Sequence, residues 1–308
     1  MEITSKDAED IGSVLKDAAW GGNPPEKVTI LTENDATKEN FINALNNIIE
    51  AAGKIEEATV FIYYSGHGGV YTSSITGKPE HYLLTHGYDT RQPDNTMVSA
   101  SLFSKMIENL RGQRLLVLLD CCHAAGMKIR GNDLVQKGDM VQTRKSITGI
   151  EFIKQLASGR GRVFVSSCAA HEQSVILPGA NNSLFTEVAL EALKGKASGT
   201  APFVRVIDLL YLLLCEVPER IKPYRHSQNP VINEVENLNS SYILCMNQSY
   251  PDEISTPGAL EKTGPMKEEQ KTADEKILFI RKYSQKINNH GEVINQVNID
   301  TNHAPINL

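Results

Sequence analysis

Apolar residues return along the first 250 positions in two rhythms that take turns. In "DAEDIGSVLKDAAW" (7–20), Ile11, Val14, Leu15 and Ala18 fall at helical spacing. "KVTILTEN" (27–34) is short and β-branched and predicts a strand that ends in a loop. "ATKENFINALNNIIEAAG" predicts an amphipathic helix, with Gly53 as its stop. "TVFIYYSGHGG" (59–69) is a continuous apolar strand that breaks into glycines, and "EHYLLTHGYD" (80–89) reads as a small extra strand. A helix follows over 99–112. Apolar strands then open "LLVLLDCCHAAG" (115–126) and "GRVFVSSCAA" (161–170). "LFTEVALEALKG" and "VRVIDLLYLLLCEVPERI" are helices, and "SSYILCMN" (240–247) is the last strand.

Strands that alternate with helices and are apolar on both faces predict an α/β fold, a mostly parallel sheet covered by helices on both sides. Ligands bind such sheets beyond the carboxyl ends of the strands. "YSGHGG", "DCCHAAG" and "SSCAAHEQS" each sit at such an end and should share one rim. Residues 127–149 are polar and basic without periodicity, which predicts an exposed loop. Residues 250–276 mix Pro, Glu, Lys, Thr and Gly like a linker.

Composition narrows the function. The 308 residues suffice for a sizeable core. The formal charge is −6 and no Lys/Arg block forms a phosphate-binding stripe, so nucleic acid is not the expected partner. The five cysteines show no disulfide framework, and the opening "MEITSKDAED" lacks a leader pattern. Both predict a cytoplasmic location. The longest apolar run, 206–217, is interrupted by Asp208 and is too short to span a membrane.

A thiol needs a base to become a thiolate near neutral pH. His67 precedes Cys122 by 55 residues, at the ends of two strands expected to be neighbours. Gly66, Gly68 and Gly69 let backbone N–H groups approach a substrate carbonyl. Two blander readings compete. A free cysteine is commonly a small buried hydrophobe. His67, Cys121, Cys122 and His123 could instead hold zinc, although adjacent cysteines chelate poorly and no second Cys-x-x-Cys occurs.

"YYSGHGG" followed by "LLDCCHAAG" resembles the paired signatures of caspase-like cysteine peptidases of the prokaryotic metacaspase (orthocaspase) type. The resemblance spans roughly 5–247, with "SSCAAHEQS", "SLFTEVALEAL" and "HSQNPVI" matching the family's smaller half. It implies a caspase-like three-layer sandwich over 1–249: a large-subunit-like part (1–126), a processing loop (127–160) and a small-subunit-like part (161–249). It implies that His67 is the catalytic histidine and Cys122, directly before His123, the nucleophile. Gly68 and Cys122 supply the oxyanion N–H groups. Asp120, Ser65 and Asp7 line the pocket for the substrate's P1 side chain. Paired carboxylates favour Arg or Lys there and would repel Asp. The expected partners are therefore proteins or peptides with a basic P1 residue.

Three departures stand out. The family's opening "ALLIG"-like strand has no counterpart before Asp7, so the sheet should lack its first strand unless the true start lies upstream of Met1 or another segment fills the gap. Ala124-Ala125 replaces the Ser-Gly that often follows the family's Cys-His. Only Asp89 loosely matches the acidic calcium cluster of eukaryotic relatives, so no cofactor is expected, and activation by calcium stays open without a clear site for it. The rival function is a catalytically incompetent scaffold that acts by binding partners. In the tail (277–308), "EVINQVNID" (292–300) alternates along a strand and suits strand addition or cross-β stacking. That would bring about self-association or recruitment to a sensor in defence or cell death. The composition equally suits a disordered end.

Overall fold

The computed structural model describes residues 3–55, 58–110, 113–121, 161–169, 172–199, 201–232 and 242–247. Cys122, the expected processing loop, the linker and the tail lie outside these residues.

The described chain runs α1 (Ile3–Lys16), α2 (Lys38–Gly53), β1 (Thr59–Ser65), β2 (Gly68–Thr72), β3 (Pro79–Leu83), the one-turn α3 (Pro93–Thr96), β4 (Val98–Ser99), α4 (Ala100–Ile107), β5 (Arg114–Asp120) and β6 (Arg162–Ser166). Then come α5 (Leu184–Leu193), β7 (Phe203–Arg205), α6 (Val206–Ile221), β8 (Val231–Ile232) and β9 (Ile243–Met246). The main sheet has the order β1-β5-β6-β8; β1, β5 and β6 run parallel and β8 is antiparallel to β6. Strands β2, β3 and β4 form a small antiparallel sheet of their own, and β7 pairs with β9.

Side-chain alternation sorts the core into two layers. Phe61 and Tyr63, Leu116 and Leu118, and Val163 and Val165 point to one face, under α1, α5 and α6. Val60 and Ile62, Leu115, Val117 and Leu119, and Phe164 point to the other, under α2 and α4. Helices on both faces of a mainly parallel sheet make the expected three-layer sandwich. Asp120 continues the even-numbered series of β5 and therefore lies on the α1/α5 face. Cys121 drops into the opposite layer, where it is 1% exposed.

Several expectations change. Among the described residues the strand expected at 27–34 does not form: Val28 and Thr32 are extended, but turns at Pro25–Lys27 and Glu33–Asp35 flank a stretch that pairs with no other described strand. An extended segment becomes a strand only when a neighbour accepts its backbone hydrogen bonds. Gly53 is the last helical residue rather than a left-handed stop, and the cap is Lys54 in right-handed conformation. The glycines after β1 do not simply end it, because Gly68 and Gly69 begin β2 and leave His67 at the corner. The strand expected at 240–247 forms at Ile243–Met246 but joins β7 rather than the main sheet.

Candidate active site

The parallel pairing of β1 with β5 sets Ser65 opposite Asp120. His67 follows Ser65 by two positions and Cys122 follows Asp120 by two, so the histidine leaves the sheet level with the cysteine's place in sequence. The corner that carries His67 is tied down on several sides. Gly66 N–H donates to the Asp120 carbonyl (3.1 Å) and Leu84 N–H to the His67 carbonyl (2.9 Å). The Tyr64 hydroxyl donates to the carbonyls of His67 (2.7 Å) and Leu84 (2.8 Å). A Cβ on Gly66 would stand 2.6 Å from that hydroxyl, which explains the glycine. The His67 side chain is exposed. The bond from Leu84 to His67 makes the next pair, Gly68 with Leu83, a non-bonded one, so Gly68 N–H turns away from β3. It makes no hydrogen bond among the described residues.

Beside this corner two carboxylates share one small polar chamber on the α1/α5 face. Asp7, on the first turns of α1, is 0% exposed, and Asp120, at the end of β5, is 3% exposed. Asp7 accepts from Ser65 Oγ (2.9 Å), Asn182 Nδ2 (3.0 Å) and Ser183 N–H (3.1 Å). Asp120 accepts from the hydroxyls of Ser174 (2.5 Å), Thr186 (2.9 Å) and Ser183. Ser183 thus spans the pair, with its N–H on one acid and its hydroxyl on the other. It also caps α5, since its oxygen accepts from Thr186 N–H. All these donors are neutral, and no Lys or Arg among the described residues pairs with either acid. Burial and then the nearby Asp120 charge raise the Asp7 carboxyl from 3.8 to about 6.

The sequence-derived residues Asp7, Ser65 and Asp120 therefore come together, with His67 on the same rim. The sequence alone assigns no role to Asn182, Ser183, Thr186 or Ser174. The residues "SLFT" look like an ordinary helix start, and their second use appears only when α5 packs against β5. Cys121 is turned into the core, away from this chamber. Cys122 lies outside the described residues. Asp89 spends both carboxylate oxygens on Arg91, at 3.0 and 2.9 Å.

A histidine at the carboxyl end of one parallel strand, with a cysteine two residues past the end of its neighbour in sequence, is a pattern that suits a thiol-dependent hydrolase. Comparison makes the class specific. The sequence profile of the caspase domain matches residues 2–240, and the chain belongs to that family of cysteine-type peptidases. Among solved structures it is similar to caspase-1 from Spodoptera frugiperda, at 17% identity. That match covers 78% of this chain and 84% of the other, with a TM-score of 0.37. Curated protein sequences give no significant match. Among the described residues no helix is long and apolar enough to cross a membrane.

Proposed function

We propose that the chain is a metacaspase-type endopeptidase that cleaves after Arg or Lys. The observation that carries this is the buried pair Asp7 and Asp120, joined through Ser183 and lacking any cationic partner among the described residues. Two carboxylates taken out of water without a counter-charge are costly. A guanidinium or ammonium entering the chamber would supply that charge through charge-assisted hydrogen bonds, whereas an aspartate would add a third negative charge. Ser65, which donates to Asp7, would line the same pocket.

In this reading His67 takes the thiol proton of Cys122, and the thiolate attacks the carbonyl carbon after the basic residue. The N–H groups of Gly68 and Cys122 hold the oxyanion. His67 then protonates the departing amine, and water hydrolyses the thioester. Lys128, Arg130, Lys137, Arg144 and Lys145 in 127–149 are natural targets of the same activity, which makes the enzyme self-processing. The stretch 292–300 would bring copies together or recruit them to a cytoplasmic sensor. The test is turnover of fluorogenic peptides ending in Arg, Lys or Asp by the wild type, Cys122→Ala and His67→Ala. Arg and Lys peptides should be cleaved by the wild type alone. Efficient cleavage after Asp, or activity in Cys122→Ala, would overturn the proposal.

A further inference from the structure

Gln228 lies on the short stretch between α6 and β8 and is 0% exposed, although its side chain is a polar amide. An amide taken out of water is costly unless its donors and its acceptor are paired. Here all of them are. The side-chain oxygen accepts from Val175 N–H (3.0 Å), and the nitrogen donates to the Ser167 carbonyl (3.1 Å) and to Ser174 Oγ (3.4 Å). The two backbone partners allow the amide one orientation only, because a peptide N–H can only donate and a carbonyl can only accept. The nitrogen therefore faces Ser174 whichever way that hydroxyl turns.

A hydroxyl has a single proton. Ser174 receives an N–H from Gln228 on one side, so its own proton is directed to the other, where Asp120 Oδ1 stands at 2.5 Å. The surrounding backbone holds this chain of donors in place. Ser167 directly follows β6, and its N–H donates to the Leu119 carbonyl (2.9 Å), one residue before Asp120. The Val175 carbonyl accepts from Leu184 N–H (2.9 Å), at the start of α5. Asn229, next to Gln228, donates to Glu172 from its N–H (2.7 Å) and its side-chain nitrogen (2.5 Å). Residues 228 and 229 thus pin 172–175 at both ends, with Ser174 between them. The other Asp120 oxygen accepts from Ser183 and Thr186 of the α5 start. The carboxylate is gripped at both oxygens, and its plane is fixed.

We infer that Gln228 is a positioning residue for P1 selectivity: by aiming the Ser174 hydroxyl at Asp120 it sets the plane of that carboxylate and favours Arg over Lys. This role rests on the Asp7–Asp120 chamber being the P1 pocket. A guanidinium is planar and makes its two parallel bonds in the plane of the carboxylate, so its binding depends on how that plane is turned. An ammonium is a compact charge with donors that rotate, and it tolerates a carboxylate that swings. Each carboxylate oxygen keeps a second lone pair for the incoming cation after the hydroxyls have taken the first. Without the Gln228 amide, Ser174 has no fixed reason to donate to Asp120, and the grip on Oδ1 is lost while that on the other oxygen remains.

The test is a binding titration of the full chain carrying Cys122→Ala, followed by NMR, with agmatine and cadaverine as the bare arginine and lysine side chains. Agmatine should bind the parent more tightly. Gln228→Leu should weaken agmatine about tenfold and cadaverine by less than about threefold, the scale of one hydrogen bond to a charged group. Ser174→Ala should do the same, and the double variant should lose no more than about twofold beyond either single one. A clamp that merely holds 172–175 in place would weaken both amines alike and add to Ser174→Ala, and that result overturns the inference. So does a parent that binds the two amines equally, or one whose selectivity neither substitution changes. Should Gln228→Leu fail to fold, Ser174→Ala alone decides: unchanged selectivity overturns the inference. A parent that binds neither amine removes the pocket reading and this role with it, whereas binding that is indifferent to both substitutions removes this role alone.

Discussion

Asp7→Asn separates charge from shape at the most buried carboxylate of the pocket. The amide oxygen can still accept from Asn182 and Ser183, and the amide nitrogen can donate to Ser65 once that hydroxyl turns. In the wild type the folded protein holds the Asp7 proton up to about pH 6, whereas the unfolded chain releases it near 3.8. Between those values the native state binds more protons, so its stability falls as pH rises through the window. The full loss is about 3 kcal/mol, at 1.36 kcal/mol for each pKa unit. Asp7 is fully buried, so solvent screening gives little relief. The substituted protein has no such proton to lose. In urea unfolding on a Cys122→Ala background, the two proteins should therefore differ by a constant amount below about pH 4. The substituted protein should gain by about 3 kcal/mol on going to pH 7, most of it between pH 4 and 6.5. A difference that stays flat across that range would refute the assignment of a raised carboxyl at Asp7. An arginine-terminated inhibitor should reverse the trend, binding the wild type more tightly above pH 6, where the carboxylate is ionised.

Asp120→Asn should lower kcat/KM for arginine peptides by a factor of roughly 30 or more, equivalent to about 2 kcal/mol, because it removes one partner of a buried charged contact. Unchanged specificity would show that Asp120 serves only the hydroxyls around it. Cys121→Ala should leave turnover near the parent level and cost about 1–2 kcal/mol in urea unfolding, because its thiol fills the layer under α2 and α4. N-terminal sequencing of purified wild type should find new termini within 127–149 that are missing from Cys122→Ala.

The layered fold was legible because apolar runs such as 115–119 and 163–165 leave a strand no solvent face, and 3.6-residue spacing marked the covering helices. Asp7, Ser65 and Asp120 were nominated by motif, and their union follows from the register of β1 with β5 and the docking of α1. Two things were not legible. The run 27–34 has every local mark of a strand, but pairing is a property of two segments, and the partner cannot be read from one. Ser174, Asn182, Ser183 and Thr186 are common residue types at loop and helix-start positions, and only packing across 175 residues of sequence brings Asn182 to Asp7.

The pairing of β5 with β6 has a consequence for kinetics. These strands are hydrogen-bonded neighbours in the middle of the sheet, yet they flank residues 122–160 in the chain. Asp7 and Asp120 come before that stretch, and the Ser174, Asn182, Ser183 and Thr186 side chains that hold them come after it. A single break within 122–160 would leave two polypeptides that share one core and one pocket, so the nicked protein would elute as before on gel filtration. Its unfolding would change in molecularity. The intact chain refolds by a first-order process, but the two pieces must first find one another, so their reassembly would be second order and their midpoint would move with dilution. A protein that survives such a break while folded would be hard to rebuild once unfolded, which makes the break irreversible in practice at low concentration.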